Sequence, residues 1–275
     1  MSGDSPAEAR DADGDNAEDE RRLFGGRREE TAAYVAAGMG VARVDLVADR
    51  VGQFSLVHRC RATSLAATPD AVAVGTDESV LVDRGSGFES TGMRSAVAVG
   101  LDDGAVLAAG PDGVVSRDGE QVGAVTDPRR FEGNLLATGD GVVRVGESLA
   151  NLGLADVRDV AWAEDGLVAA TPDGLYGDVG RWTRLLESGV QAVASDGIRL
   201  AVVDSEGVLE RREGDWERLD APAQPVALTY GESLYGITAA GEFLVYTDPS
   251  LPVDGSGGWR SHALGLSDAV DLAVP

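Results

Sequence analysis

The sequence predicts an all-β protein, a seven-bladed β-propeller made of four-stranded blades. Two observations favour this fold. From residue 31 onward, short runs rich in Val, Ala and Leu alternate with Gly, Asp-Gly or Pro-Asp-Gly, and one turn recurs at a nearly constant interval. No helical stripe of apolar residues interrupts the pattern, so many short strands joined by tight turns are expected. Repetition of such a unit at a fixed period is typical of a propeller.

The recurring turn is the strongest of these signals. The last residues of successive copies are 34, 28, 33, 33 and 34 positions apart. Because Asp-Gly supplies the positive φ angles of a tight hairpin, we interpret the aspartates as turn residues, with calcium ligation as the alternative. The six copies are Thr76-Asp77-Glu78-Ser79, Gly110-Pro111-Asp112-Gly113, Thr138-Gly139-Asp140-Gly141, Thr171-Pro172-Asp173-Gly174, Asp204-Ser205-Glu206-Gly207 and Thr238-Ala239-Ala240-Gly241.

Within one unit, residues 157–189, four strands can be placed. They are predicted at 157–163, 167–171, 175–177 and 182–187. An aromatic residue opens the fourth strand, and Trp182, Trp216 and Trp259 occupy this one repeat position. We expect these side chains to pack between neighbouring blades. Ankyrin repeats have a similar length but need two helices in each unit, so the absence of helical periodicity favours blades.

The blade count follows from the units that the repeat defines. Two pieces are left over, residues 31–60 and the segment 269–275. We predict that the C-terminal segment is the inner strand of a blade whose other three strands lie in 31–60, with Val270, Leu272 and Val274 alternating into one face. This seventh blade would close the ring and leave no open edge; rings of six or eight blades are the alternatives. The six full units begin near Arg61, Arg94, Arg129, Val157, Val190 and Gln224.

Composition separates an N-terminal tail from this domain. Residues 1–20 carry eight acidic side chains and almost no large apolar one, so they are predicted to be a disordered acidic tail, with the propeller at 21–275.

The whole chain has 47 acidic and 23 basic residues, a formal charge of −24, and every basic residue is arginine. Such a charge disfavours nucleic acid and anionic membranes as partners and is typical of proteins in concentrated salt.

The expected compartment is therefore a halophilic cytoplasm. The pair Arg21-Arg22 is followed by Gly and charged residues, whereas an export signal needs an apolar run there. No apolar stretch reaches the length that spans a bilayer. We expect a cytoplasmic protein and a monomer.

One blade carries a motif known from other propellers. Asp178, Gly180 and Trp182 form a turn that resembles the Asp-box of sialidase-like propellers. From about residue 20 to 275 the chain is similar to a family of uncharacterised haloarchaeal β-propeller proteins. That similarity lies in the architecture, the acidity and the segments Gly26-Arg27-Arg28-Glu29-Glu30-Thr31 and Val57-His58-Arg59-Cys60. The resemblance implies the fold and the compartment, and it implies no activity or site.

The sequence shows no catalytic set. His58 and His262 both fall in predicted fourth strands at the outer rim, and neither has partners for a Ser/His/Asp arrangement or for a metal site. Cys60 is the single cysteine and is interpreted as a packed side chain. The predicted inner strands contain mostly Ala, Val, Leu and Ser, so no catalytic residue, metal or cofactor is predicted.

Four arginines form the candidate site. Each stands where the chain is predicted to enter an inner strand, and these positions should surround one mouth of the central channel. Guanidinium groups converging there could bind a carboxylate, a phosphate or an acidic peptide. The competing explanation is ion pairing with the acidic turns of the same end, at Asp77, Asp112, Asp140 and Asp173. The four residues are Arg61, Arg94, Arg130 and Arg158.

Two function classes remain open. The favoured one is a non-catalytic propeller that binds a protein or a small anion through its channel face. The alternative is a hydrolase of the sialidase-like or lactonase-like type, because a propeller fold does not determine function by itself.

Overall fold

The computed structural model describes residues 31–47, 50–248 and 257–275. The described residues form seven antiparallel sheets of four strands each, which are the blades of a propeller. The predicted seven-bladed fold is confirmed, and the alternatives of six and eight blades are wrong. The acidic tail predicted at 1–20 lies outside the described residues, as do residues 21–30.

We number the blades around the ring and give their strands from the inner edge outward. Blade 1 contains β28 (Asp271–Ala273), β1 (Thr31–Ala37), β2 (Gly40–Val47) and β3 (Arg50–His58). Blade 2 contains β4 (Ala62–Thr68), β5 (Ala71–Thr76), β6 (Ser79–Asp83) and β7 (Glu89–Arg94). Blade 3 contains β8 (Ala98–Asp102), β9 (Ala105–Ala109), β10 (Val114–Arg117) and β11 (Glu120–Ala124). Blade 4 contains β12 (Pro128–Glu132), β13 (Leu135–Thr138), β14 (Gly141–Val145) and β15 (Leu149–Asn151).

The remaining three blades follow the same order. Blade 5 contains β16 (Asp159–Ala163), β17 (Gly166–Thr171), β18 (Gly174–Asp178) and β19 (Trp182–Leu186). Blade 6 contains β20 (Val190–Ser195), β21 (Leu200–Asp204), β22 (Gly207–Arg212) and β23 (Asp215–Leu219). Blade 7 contains β24 (Ala227–Tyr230), β25 (Leu234–Ile237), β26 (Glu242–Thr247) and β27 (Gly258–Ala263).

Blade 1 closes the ring with strands from both ends of the domain, as predicted. β28 is antiparallel to β1, with Val35 opposite Leu272 and Ala36 opposite Asp271. Leu272 is 2% exposed and packs into the core between blades 7 and 1. The expectation that Val270 is buried with it is wrong. Val270 precedes the strand, is 44% exposed, and contributes its N–H to the carbonyl of Ala36 at 2.9 Å.

The recurring turn joins the second and third strands of a blade, and a hydroxyl group explains its threonine. The Oγ1 atoms of Thr138 and Thr171 donate to the carbonyls of Gly141 and Gly174 at 2.7 and 2.9 Å, which closes the turn from within. Gly174 has φ +152°, and a Cβ there would lie 2.2 Å from the carbonyl oxygen of Leu186. Gly113, Gly141 and Gly241 are restricted to glycine in the same way, whereas Ser79 ends the copy in blade 2 and a Cβ at Gly207 would meet no backbone atom.

The hydrophobic core lies between the blades rather than within them. Leu107 of blade 3 packs with Leu136 of blade 4, for example, and both side chains are fully buried. The predicted packing of tryptophans between blades is confirmed for Trp182, which lies against the core of blade 4 and donates from Nε1 to the carbonyl of Leu152 at 2.9 Å. Trp216 makes the equivalent bond one blade later, to Leu185 at 3.2 Å. Blades 5 and 6 are thus each fixed to the preceding blade at the outer edge, whereas Nε1 of Trp259 in blade 7 makes no such bond within the described residues.

The two ends of the ring carry different connections. We call one end the loop face; it carries the segments that lead into the inner strands and the turns between second and third strands. The other end is the turn face, which carries the turns between first and second and between third and fourth strands. This division follows from four antiparallel strands in each blade and locates the site described next.

Candidate functional site: the central tunnel

The structure does not give the four predicted arginines one common position. Arg61 precedes β4, Arg94 is the last residue of β7, Arg130 lies within β12, and Arg158 precedes β16. The expectation that they are equivalent is wrong, because Arg130 is paired with Ala137 inside the ladder of blade 4, whereas Arg61 and Arg158 precede their inner strands and Arg94 ends an outer strand. Within the described residues, no two of the four share a hydrogen-bond or ion-pair partner.

Arg158 is equivalent to Arg129, and both fix neighbouring blades together. Arg158 Nη1 donates to the carbonyl of Val190 at 3.4 Å, and Arg129 Nη1 donates to the carbonyl of Val157 at 3.0 Å. In blade 2 the same place is taken by Thr63, whose hydroxyl bonds the Ala96 carbonyl at 2.6 Å. Because each acceptor belongs to the segment that leads into the next blade's inner strand, these side chains stabilise the blade boundaries.

Arg61 and Arg94 remain on the surface of the loop face. The Arg94 side chain is 80% exposed, and its Nη2 lies 3.6 Å from Asp112 Oδ2. Arg61 is also exposed, and its guanidinium has no ion pair within the described part of the chain. The predicted pairing with turn acids therefore applies to Arg94 alone, and only as a long contact.

Arg130 lies in the tunnel, where it links three blades. Its Nε lies 3.5 Å from Asp159 Oδ1 in blade 5, and its Nη2 donates to Asp271 Oδ1 in blade 1. The arginine side chain is 22% exposed, while the two aspartate side chains are 4% and 5% exposed. We call Arg130, Asp159 and Asp271 the tunnel lock.

The two aspartates of the lock bind the backbone in the same way. Asp159 Oδ1 accepts the N–H of Val160 and its Oδ2 accepts the N–H of Val193 in the next blade, both at 2.9 Å. Asp271 repeats this with Leu272 and with Leu65 of blade 2, both at 2.8 Å. These carboxylates are therefore held by the backbone as well as by Arg130, which compensates their burial.

A cavity of about 330 Å³ occupies the tunnel between the lock and the turn face, and all seven blades contribute to its wall. Arg130 and Asp159 bound it on the side of the loop face. Most of the lining residues are apolar, but polar atoms form the larger part of the exposed wall surface, and hydroxyl groups of Thr68, Ser195 and Thr229 contribute to it near the turn face. The principal apolar side chains are Leu65, Leu101, Val160, Val193, Leu228 and Leu272.

Glu132 is the carboxylate in this cavity that has no assigned partner. Within the described residues its side chain makes no hydrogen bond or ion pair, although solvent reaches it through the cavity. Glu132 is exposed to solvent in the tunnel, but the surrounding protein still reduces its hydration; together with the nearby Asp159, and against the opposing effect of Arg130, this raises the pKa of Glu132 to about 7. Burial likewise raises the pKa of Asp159 to about 6, although Arg130 and two backbone N–H groups oppose it.

Sequence reasoning missed these tunnel acids. It describes the inner strands as mostly Ala, Val, Leu and Ser, which holds for most of the wall but not for Glu132, Asp159 and Asp271. Superposing the repeats gives the missing signal. The place of Asp159 is taken by Ser64, Ala98, Ala192 and Ala227 in four other blades, so the three charged residues there, Arg130, Asp159 and Asp271, depart from the repeat.

The remaining candidates lie away from the tunnel. His58 is in β3 with its ring centroid 5.6 Å from that of Phe88, and His262 is in β27, so both are in outer strands as predicted. Cys60 is half-buried, and burial together with Asp77 raises the pKa of its thiol, which disfavours the reactive thiolate. Over the described ranges, no group of three or more His, Cys, Asp or Glu side chains is arranged to hold a metal ion.

The family of this chain follows from its match to a known family model. A family model described as "Beta-prop_HVO_0234:-like, beta propeller" matches residues 17–275. The chain belongs to this family. No curated protein matches the sequence. In the described portion, none of the elements is a helix with the length and hydropathy needed to cross a membrane.

Solved structures share the architecture at low sequence identity. The computationally designed Ika8 protein is 17% identical with a TM-score of 0.55, and the match covers 88% of this chain and 91% of that one. A chain of the Nidogen/Laminin complex is 12% identical with a TM-score of 0.56, over 89% and 98% of the two chains. The WD40 β-propeller domain of Doa1 is 16% identical with a TM-score of 0.55, over 79% and 86%. These similarities concern the fold alone.

Proposed function

We propose that this propeller is a non-catalytic binding module that recognises an acidic protein segment or a small anion through its loop face. The observation that carries the proposal is the placement of Arg61 and Arg94 on either side of one turn. The N–H of Asp77 donates to the carbonyl of Arg61 at 3.3 Å, and Ser79 is opposite Arg94 in the ladder of β6 and β7. Both guanidinium groups therefore belong to the same edge of blade 2.

Arg61 and Arg94 have fewer and longer contacts with carboxylates than Arg212 and Arg218 have. Arg218 is within 3.2 Å of the carboxylates of both Asp204 and Glu206, and Arg212 is within 3.5 Å of three carboxylates. Arg61 makes no ion pair in the described part of the chain and Arg94 makes only the 3.6 Å contact with Asp112, so both guanidinium groups are accessible to a ligand. Their planar groups can bind a carboxylate or phosphate through two parallel hydrogen bonds.

A groove beside Arg94 gives such a ligand a place to lie. It has a volume of about 340 Å³ and runs between blades 2 and 3, with Asp112, Ser116 and Gln121 in its wall. Arg59, which precedes Arg61 by two residues, is also exposed and has no ion pair in the described portion. Of the three arginines, Arg94 is the one that lines the groove, so an acidic ligand lying there would contact Arg94 directly.

The hydrolase is the second candidate, and Glu132 favours it. A carboxyl group with a pKa of about 7 in a cavity suits general acid–base catalysis. A glycoside hydrolase normally needs two such groups, however. Asp159 is committed to two backbone N–H groups and to Arg130. One free carboxylate supports binding better than it supports hydrolysis.

Isothermal titration calorimetry with inorganic phosphate and with a hexaglutamate peptide tests the proposal. We expect one of them to bind, and the double variant Arg61→Ala/Arg94→Ala to weaken binding at least about tenfold, because a charge-assisted hydrogen bond contributes about 1.5 to 3 kcal/mol. Arg144→Ala, which removes an exposed arginine of blade 4, is the matched control and should change nothing.

Equal binding by the double variant, or no binding of either probe to the native protein, would contradict the proposal. The hydrolase is tested separately by a screen of ester and glycoside substrates. Turnover that disappears in Glu132→Gln would establish catalysis in the tunnel instead.

A further inference from the structure

We propose that the partner bound by the loop face is an amphipathic segment of another protein, with apolar side chains at one end and acidic side chains at the other. This inference rests on the proposed function and deepens it, because it selects a protein segment over a small anion. Its evidence is a set of three exposed apolar side chains on the loop face, which we call the apolar strip. They are Met39, Val226 and Val270, and they are 39–46% exposed.

Backbone hydrogen bonds place Val270 beside Met39. The N–H of Val270 donates to the carbonyl of Ala36 at 2.9 Å, and the N–H of Gly38 donates to the carbonyl of Asp268 at 3.2 Å. The segment that leads into β28 is therefore held against the turn between β1 and β2, which carries Met39. These two members of the strip lie on blade 1, at the same end of the ring.

Similar bonds join this pair to blade 7. The N–H of Ala269 donates to the carbonyl of Ala239 at 3.2 Å, and the N–H of Val226 donates to the carbonyl of Ile237 at 2.8 Å. Ile237 ends β25, and Ala239 belongs to the turn that follows it. The strip thus crosses the boundary between blades 7 and 1, where a single extended segment can cover it.

The strip departs from the repeat. The turns between second and third strands carry acids in blades 2 to 6, whereas blades 7 and 1 have Ala239-Ala240 and Gly38-Met39 there. The acids of the other turns are Asp77, Glu78, Asp112, Asp140, Asp173 and Glu206. In the inner ladders, Val226 and Val270 take the place that Arg158 has in blade 5. Apolar residues therefore occupy positions in this sector that are charged in blade 5.

The strip leads directly to arginines that have no ion pair. Val41 is opposite His58 in the ladder of β2 and β3, so the chain before Val41 and the chain after His58 run side by side on the loop face. Met39 and Arg59 are therefore neighbours. Arg59 and Arg61 are exposed, and neither has an ion pair within the described residues. A ligand along this line would contact apolar side chains first and guanidinium groups next.

Nearby acids determine which end of the ligand is charged. Asp268 is exposed and precedes Val270 by two residues, and Glu242 follows the loop-face turn of blade 7. Negative charge on a ligand would be repelled at that end, whereas Arg59 and Arg61 attract it. Protein interfaces commonly combine an apolar centre with a charged rim. The surface therefore fits an acidic segment with leucine-like side chains at one end, and a small anion would leave the strip uncovered.

Calorimetric titration with matched peptides tests the inference. The probes are acetyl-Leu-Leu-Ser-Glu-Glu-Glu-amide and the peptide of reversed order, because either chain direction satisfies the surface. In the control peptides serines replace the leucines, so the charge is unchanged. We expect at least one leucine peptide to bind at least about tenfold more tightly than its serine counterpart, because two leucine side chains leave water.

Two variants locate this preference on the molecule. Met39→Ser/Val270→Ser should remove the difference between leucine and serine peptides, since it makes two members of the strip polar without changing any charge. Both side chains are exposed, so the fold should be retained. Val179→Ser is the matched control, because Val179 is an exposed apolar residue of the turn face, between β18 and β19. It should leave the preference unchanged.

Met39 also provides a readout on the native protein, which decides the matter if the double variant fails to fold. The methionines are Met1, Met39 and Met93. With ¹³C-labelled methyl groups, the leucine peptide should shift the Met39 signal and the serine peptide should not.

Equal binding of leucine and serine peptides, failure of both leucine peptides to bind, an undiminished preference in folded Met39→Ser/Val270→Ser, or its loss in Val179→Ser would overturn the inference. Hexaglutamate binding that requires Arg61 and Arg94 would still support the proposed function, so the two failures are distinguishable. A dimer detected by light scattering and lost in the double variant would assign the strip to a second copy of the chain. Binding of phosphatidylglycerol vesicles without binding of the peptides would assign it to a membrane. Either result would also overturn the inference.

Discussion

Arg130 is the side chain with the greatest structural consequence in the tunnel, because it is shared by acids from two other blades. Asp159 and Asp271 are each 3% exposed, so neither can be rehydrated if the arginine is removed. Burying an ion pair contributes little net stability, but breaking one leaves an uncompensated charge. The lock is therefore sensitive to the loss of its single cation.

Substitution of this cation should be severe. We predict that Arg130→Met lowers the free energy of unfolding by about 3 to 5 kcal/mol, since two buried carboxylates lose their counter-ion. Arg94→Ala is the control and should cost about 0 to 1 kcal/mol, because that side chain is 80% exposed. Urea denaturation of both variants measures the difference. Equal losses would show that the lock contributes nothing beyond a surface ion pair.

Stability should also depend on pH through Glu132. Its pKa is about 7 in the folded protein against an ordinary value of 4.5, so between these values the folded protein holds a proton that the unfolded chain has released. Stability from this group is present at low pH and is lost as the pH rises through about 7. Asp159 acts with the same sign between its ordinary 3.8 and about 6.

We therefore predict that Glu132→Gln flattens the decline in unfolding free energy between about pH 4.5 and pH 7, the window between the ordinary and the raised pKa of Glu132. Urea denaturation series at fixed salt provide the measurement. The same decline in the variant and the native protein would mean that another group titrates in this range.

At this scale the sequence alone predicted little of the site. The sequence pointed to Arg130 as part of a channel mouth at the loop face, whereas the structure places Arg130 inside the tunnel, in the tunnel lock. The reason is a register difference: Arg129 and Arg158 are equivalent, and Arg130 is level with Asp159. Ion pairs across the ring join residues that are far apart in the chain, such as Arg130 and Asp271. No local sequence pattern predicts such a pair.

The strands themselves were far more predictable. In blade 5 the strands expected at 167–171 and 182–187 are observed as Gly166–Thr171 and Trp182–Leu186. Apolar alternation and turn residues are local properties of the sequence, so they predict strands without knowledge of which strands become neighbours in the fold. Val270 shows the limit of this approach, because whether a residue just before a strand is covered depends on the neighbouring blade.

The closing strand is the element on which the ring depends. We predict that deletion of residues 269–275 abolishes cooperative monomeric folding, because β1 loses its inner partner and the core between blades 7 and 1 loses Ala269 and Leu272. Gel filtration with multi-angle scattering and thermal denaturation check this. A monomeric truncation that unfolds in one sharp transition would contradict the role of β28 in closure.

For the whole molecule, the acidic excess is the dominant property. Forty-seven acidic side chains against 23 arginines repel one another on a compact body. Added salt shortens the screening length from about 10 Å at 0.1 M to about 3 Å at 1 M.

We predict that the melting temperature rises markedly between 0.1 M and 2 M potassium chloride. Differential scanning calorimetry measures it, and a chain lacking residues 1–20 should show a similar rise with somewhat smaller amplitude, because it lacks eight acids and one arginine. A melting temperature that does not change with salt would refute this account of the charge.

Closure by β28 also imposes an order on synthesis. β1 leaves the ribosome before the other strands of the propeller, and its inner partner leaves last. During translation the inner edge of β1 presents unpaired backbone groups, which can capture strands of other nascent chains. The guanidinium of Arg130 also lacks one of its two carboxylate partners until β28 is synthesised, because Asp271 belongs to β28. A nascent propeller thus carries an open edge and a half-paired guanidinium together, and a single short strand removes both.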